Sequence, residues 1–242
     1  MDSYRKTAII VGLLFITATV TSILGGSLIA SVIDSPDDFL NVSANENQIV
    51  IGCLLVLVDA LAVIFIAILM FPILKKYNEG LALGYVGLRI FEGVVFIIGV
   101  ISILAILTLS QEYGAGALDV SYFQALVTLL LGVYDWSWLV GPLIFFALST
   151  LPFYYLLYQS KLIPQWLSGW GLIGGILVTL FGLLAMFGFD TTSTISMFLF
   201  LPIAVQEMAL AVWLIVKGFN SSVISSGSAK TDINEDKMIK LR

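Results

Sequence analysis

Histidine is absent from all 242 residues, Cys53 is the only cysteine, and charged residues make up just 11% of the chain. With no histidine and a lone thiol there can be no internal disulfide, no histidine-ligated haem and no zinc site of the His/Cys type. No resident metal or other cofactor is expected, and Cys53 reads as a small apolar packing residue. Acid–base or cation chemistry must therefore rest on carboxylates, Tyr, Lys or Arg. A soluble domain carries about 25% charged residues, so half of the usual polar surface is missing. What fills the chain instead is apolar: 60% of residues, with a mean hydropathy of +1.06. A bilayer can solvate such a chain and water cannot.

A membrane-crossing helix needs about 20 apolar residues. Six stretches meet that length, at 8–33, 48–74, 81–109, 136–158, 165–189 and 195–216. The fold class expected is all-α: an integral membrane helical bundle of six transmembrane helices occupying residues 1–219, with both termini cytoplasmic. The start of the fourth span is open. Apolar sequence already begins near Tyr122, so either the helix is overlong or a short interfacial helix precedes it, with Gly132 as the break. The first apolar run is about 26 residues, too long for a 7–15-residue signal core, and reads as an uncleaved span. Residues 220–242, rich in Ser and then mixed in charge, read as a disordered cytoplasmic tail. The second and third spans and the fourth and fifth form two similar hairpins, from a duplication or from two ordinary turns.

Charge divides by side. The N-terminus, the turns at 75–80 and 159–164, and everything after Val216 hold ten of the eleven basic residues. The alternate loops carry Asp34, Asp37, Asp38, Glu46, Glu112, Asp119 and Asp190, with no Lys or Arg. Basic loops mark the cytoplasmic face, and an even span count agrees with both termini lying there. Trp136 and Trp138 fall near one border, and Trp166, Trp170 and Trp213 near the other, as amphipathic indoles prefer. The basic residues are too scattered for nucleic-acid binding, so the partners expected are the lipid bilayer and possible small ligands, a proton or a cation.

Against this background five ionisable residues stand out: Asp59, Arg89, Glu92, Asp135 and Glu207. A charge near a bilayer centre costs roughly 2.5–3.5 kcal/mol on insertion scales, so it marks a partner or a pathway. At 1.5 Å per residue, Arg89 and Glu92 lie about 12 and 17 Å from the cytoplasmic end, and Glu207 about 15 Å. Asp59 is about 23 Å in, and Asp135 is at the outer border. Arg89 and Glu92, three apart, share a helix face, and Tyr85 extends it towards the cytoplasm. A guanidinium holds two carboxylates through its five donors, so Glu207 can approach from the sixth span. One Arg cannot neutralise Asp59, Glu92 and Glu207 together; protons or a cation must balance the rest. Asp59 alone also fits a neutral acid bonded to a neighbouring helix, and Asp135 fits a solvated interfacial carboxylate. Pro142, Pro152 and Pro202 fall inside spans, and the carbonyl of Phe198, freed by Pro202, is a further candidate for the site. Gly80/Gly84 and Gly171/Gly175 have the four-residue spacing that lets membrane helices approach closely.

Three stretches together carry a likeness: Gly84-Tyr85-Val86-Gly87-Leu88-Arg89-Ile90-Phe91-Glu92, Leu162-Ile163-Pro164-Gln165-Trp166-Leu167-Ser168-Gly169-Trp170-Gly171, and Pro202 with Glu207 and residues 213–219. The chain resembles a bacterial membrane-protein family known as domain of unknown function 4386, up to Phe219. The resemblance implies a helical bundle in the bacterial cytoplasmic (inner) membrane, with the Arg89/Glu92 stretch and Glu207 as family-pattern positions. It implies no activity.

Three functions remain. The first is a small transporter or ligand-binding membrane protein in which Arg89, Glu92 and Glu207, flanked by Tyr85 and Asp59, form a midplane site. The second is a lipid-modifying membrane enzyme using Glu92 or Glu207 as acid or base. The third is a structural or sensory protein whose ion pairs only fix helix packing. The first forecasts a water-accessible cavity around the glutamates, and the second a lateral opening beside a carboxylate. The third forecasts a dry cluster in which every polar atom is satisfied.

Overall fold

A computed structural model describes residues 3–33, 42–114, 120–190, 194–220 and 223. The acidic stretch 34–38, Asp119 and the proposed tail beyond Val223 lie outside the described residues. Among the described residues there are seven α-helices: α1 (Ser3–Ile33), α2 (Glu46–Leu74), α3 (Glu79–Gly114), α4 (Val120–Leu139), α5 (Phe146–Ser160), α6 (Gln165–Met186) and α7 (Thr194–Val216). Val140–Phe145, one π-helical segment, joins α4 to α5, so residues 120–160 form one continuous fourth span. Six helical segments are therefore long and apolar enough to cross a membrane. Among the described residues there is no strand.

The fourth span is the overlong alternative, without an interfacial helix. Gly132 does not break it: α4 runs straight through that position. The irregularity lies ten residues later at Pro142, which has no N–H to give to a helical ladder and sits inside the π-helical segment. The two cytoplasmic-type turns also differ, since Lys75 is right-handed (φ −57°) and Lys161 left-handed (φ 56°). That difference favours ordinary turns over a duplicated hairpin.

The spans close into a ring. Each packs on its neighbours in sequence, and α7 returns to pack on α1. Small residues permit the close crossings. A methyl group on Gly12 would lie 2.7 Å from the Ala211 carbonyl oxygen of α7, and one on Gly25 would lie 2.9 Å from that of Gly52 on α2. Gly171 and Gly175 press on Tyr154 and Thr150 of α5, as their spacing suggests. Gly84 meets nothing, and Gly80 only the Asn78 side chain, so that pair makes no helix contact.

Length decides the layering. With 22 and 23 residues, α6 and α7 are about 33–35 Å long, whereas the 36 residues of α3 reach about 54 Å. A hydrocarbon core is about 30 Å thick. The longer helices therefore form a second core of their own. One cluster, around Phe15, Ile66, Met70, Phe153, Leu167 and Leu210, draws on all six spans. The other, around Ile29, Cys53, Val56, Phe96, Ile103 and Phe123, draws only on the first four. Cys53 is a packing residue there, 2% exposed. Trp138, read as a border indole, instead packs edge-on to Phe96 in this second cluster.

Candidate functional site

The seam between the two cores is where the polar side chains lie. On α2 the second cluster ends at Ala60 and the first begins at Ile66; a small third cluster, Ala18 of α1 with Ala62 and Val63, lies between them, and Asp59 stands at its edge. On α3 the first ends at Tyr85 and the second begins at Phe96, and Arg89 and Glu92 occupy the gap. On the fourth span the gap between Tyr134 and Phe146 contains the π-helical segment.

Arg89 is the hub. Its Nη1 donates to both oxygens of Glu92, at 3.2 and 3.4 Å, and its Nη2 donates to Oε1 of Glu207 at 3.4 Å. The guanidinium sits 4.9 Å from the Phe146 ring and 5.6 Å from the Tyr85 ring, so it is flanked by cation–π contacts. The widened π turn ends at Phe146 and so delivers that ring to Arg89. Tyr85 in turn stacks on Phe153 at 4.6 Å. Sequence spacing alone joined Arg89 to Glu92; the ring closure brings Glu207 to the same guanidinium.

The three charged groups are not equally enclosed. The side chains of Arg89 and Glu92 are 2% and 4% exposed, and that of Glu207 is 14% exposed. The ion-pair contacts are also long, because charge-assisted N–H···O bonds usually fall at about 2.7–2.9 Å. Among the described residues four buried polar atoms make no well-formed hydrogen bond: Arg89 Nε, the hydroxyls of Tyr85 and Tyr154, and Gln206 Oε1. They face one another in two loose pairs, Tyr85 against Arg89 and Tyr154 against Gln206. Gln206 spends its amide on the Leu167 carbonyl, tying α7 to α6 at 3.1 Å. A buried polar atom left without a good bond costs roughly 1–3 kcal/mol, so such a group calls for an explanation.

Of the candidate residues, Arg89, Glu92, Glu207 and Tyr85 come together. Asp59, 3% exposed, lies at the edge within electrostatic reach of Arg89, Glu92 and Glu207, with Ser22 of α1 beside it. Asp135 is exposed but lies 15 residues into the continuous fourth span, deeper than the border position that a span beginning at Trp136 would give it. The Phe198 carbonyl is nine residues from Glu207, about 13 Å along the helix, too far to join the same shell. Among the described residues no three Cys, Asp or Glu side chains are grouped to hold a metal ion. A 510 Å³ groove between α3 and α4, lined by Val95, Ile98, Leu129 and Trp136, is apolar and touches none of the cluster. Tyr154, Gln206 and Phe146 were missed from sequence. Gln206 adjoins Glu207, which is a usable signal; the rings are indistinguishable from lipid-facing aromatics.

A family model described as a domain of unknown function, DUF4386, matches residues 10–218. The chain belongs to this family. The match spans all six candidate membrane helices and every residue of the cluster. Neither a curated protein nor a solved structure matches the chain. The family description names no activity, so function must be argued from the cluster itself.

Proposed function

We propose that this family member is a small membrane transporter or ligand-binding membrane protein whose midplane site is built on Arg89, Glu92 and Glu207. Arg89 orients an anionic group of the ligand, and Glu207 carries a proton or contacts a cation. The observation that carries the reading is a charged hub ringed by four polar atoms that make no well-formed hydrogen bond. A strut is stable when every polar group is satisfied, and a half-satisfied buried network is costly. A ligand or water reaching Tyr85, Tyr154, Gln206 and Arg89 Nε would complete their bonding. Glu207 is the group suited to exchange, being the more exposed carboxylate and held by one contact of 3.4 Å. The uncompensated charge of three carboxylates against one Arg is further support.

The same reading includes orientation. On the charge bias of the loops, both termini face the cytoplasm of a bacterial inner membrane. The enclosure of Arg89 and Glu92 favours one rival, a purely structural ion pair. Proton flux into proteoliposomes separates the two. Candidate solutes are first found by mass spectrometry of small molecules copurifying with the protein. Flux dependent on such a solute in the wild type, lost in a folded Glu207→Gln variant, supports transport. Loss of folding in Glu207→Gln, with no flux in the wild type, would sink it.

A further inference from the structure

On the basic face, the turn between α5 and α6 meets the end of α7 around a 430 Å³ cavity. Small-ligand sites run from about 300 to 1,000 Å³. Its rim carries Lys161 and Lys217, with Trp213, Gln165 and Asn220 along the wall. The chain is held in shape here. Lys161 is the one non-glycine residue with positive φ among those described, and the buried Leu162 and Ile163 pin the turn beneath it. The Asn220 amide donates to the Leu162 carbonyl at 2.8 Å, tying the chain after α7 to the same turn.

Electrostatics on both walls favour an anion. Pro164 starts α6 without a side-chain cap, and the first turn has no acidic residue. The Leu167 and Ser168 N–H groups bond back to the Pro164 carbonyl, so the 22-residue helix directs the N–H groups of Gln165 and Trp166 and the positive end of its dipole towards the cavity rim. At the other wall the carbonyls that end α7 would repel an anion. Arg5 takes them: its Nη1 donates to the Leu214 carbonyl at 3.0 Å, and its Nη2 to those of Ile215 and Val216 at 2.6 and 3.1 Å. Among the described residues neither Lys161 nor Lys217 has a carboxylate partner. Two unpaired ammonium groups, a helix N-terminus and a neutralised C-terminus thus converge on one cavity.

We propose that this cavity binds a phosphate anion, presented as the headgroup of an anionic phospholipid. Trp213 in the wall and the 61% exposed Trp166 on the adjacent first turn of α6 put the cavity at headgroup depth, where indoles collect. Basic pockets between membrane helices take such headgroups by charge and hydrogen bonding. The site is separate from the Arg89 cluster and stands whether or not that cluster transports anything.

The test uses full-length protein, delipidated in neutral detergent and offered equal amounts of phosphatidylglycerol and phosphatidylcholine. Native mass spectrometry is expected to show about a tenfold preference for phosphatidylglycerol, because the choline cation of the other lipid offsets the attraction of its phosphate to Lys161 and Lys217. Lys161→Gln with Lys217→Gln should bring the preference to parity, and Lys75→Gln with Lys76→Gln, the same charge change elsewhere on that face, should not. Binding of inorganic phosphate with the same lysine dependence, but without lipid preference, would support a phosphate site filled from water. Equal retention of both lipids with no phosphate binding overturns the proposal, as does equal loss in both double variants. Should the first double variant fail to fold, competition on the unaltered protein decides. Displacement of phosphatidylglycerol by inorganic phosphate beyond that by chloride at equal ionic strength supports the site, and its absence overturns it.

Discussion

Arg89 bridges two helices that do not otherwise pack side by side, because its two terminal nitrogens address Glu92 on α3 and Glu207 on α7. Breaking a buried pair by removing one partner costs about 3–5 kcal/mol. Arg89→Met is accordingly expected to lower the thermal unfolding midpoint in detergent severely. Arg89→Lys should recover little of it, since a single ammonium cannot reproduce the fork. The two glutamates should differ. Glu92→Gln removes the charge of the more enclosed partner and one of the two oxygens that face Nη1, whereas Glu207→Gln removes the charge of a side chain that is 14% exposed and keeps an oxygen for Nη2. Thermal unfolding should therefore rank Glu92→Gln as the more damaging, and the reverse order would contradict the geometry. Arg89, Glu92 and Glu207 were legible in the sequence because a charge inside an apolar run has few inexpensive explanations. Tyr154 and Phe146 were not, because an aromatic ring fits equally well against lipid or against a guanidinium.

The elements repeat this division. Six spans follow from hydropathy, but in a bilayer both faces of a helix are apolar, so the pattern does not say which face meets a neighbour or where a long helix emerges. Hence the fourth span extends 16 residues before the expected start, and Gly80/Gly84 looked like a contact while Gly12, Gly25 and Gly182 supply contacts. A methyl group at Gly182 would collide with the backbone carbonyl of Leu143, inside the π-helical segment. Backbone there cannot rotate aside like a side chain. Gly182→Ala should thus destabilise by about 1–3 kcal/mol, as overpacking does. Gly84→Ala, with open space around it, should be neutral or stabilising by about 0.5–1 kcal/mol. Thermal unfolding of the two variants side by side checks both.

At the scale of the whole molecule, the layering gives the site its position. The two larger apolar cores leave a gap on the third span that Arg89 and Glu92 occupy, with Asp59 beside it and Glu207 reaching in from the sixth span to Arg89. Sequence depth placed Arg89, Glu92 and Glu207 at one level, but it could not reveal the seam, because core membership depends on which spans outlast the bilayer. The proposed orientation, with both termini cytoplasmic, is also testable at this scale. In a Cys53→Ser background, Lys75→Cys should react with an impermeant maleimide only after the inner face is exposed. Glu112→Cys should react in intact cells. The opposite pattern would invert the topology.

The proposed transport role requires Glu207 to be a reachable, exchangeable carboxylate and not one arm of a sealed strut. Reaction of the membrane-embedded protein with a hydrophobic carbodiimide, which modifies protonated carboxyl groups in apolar surroundings, reads this directly by peptide mass spectrometry. Glu207 is expected to be modified ahead of Glu92, with modification falling when a copurified solute is added back. Modification of neither residue in folded protein, or of Glu92 ahead of Glu207, would contradict the account.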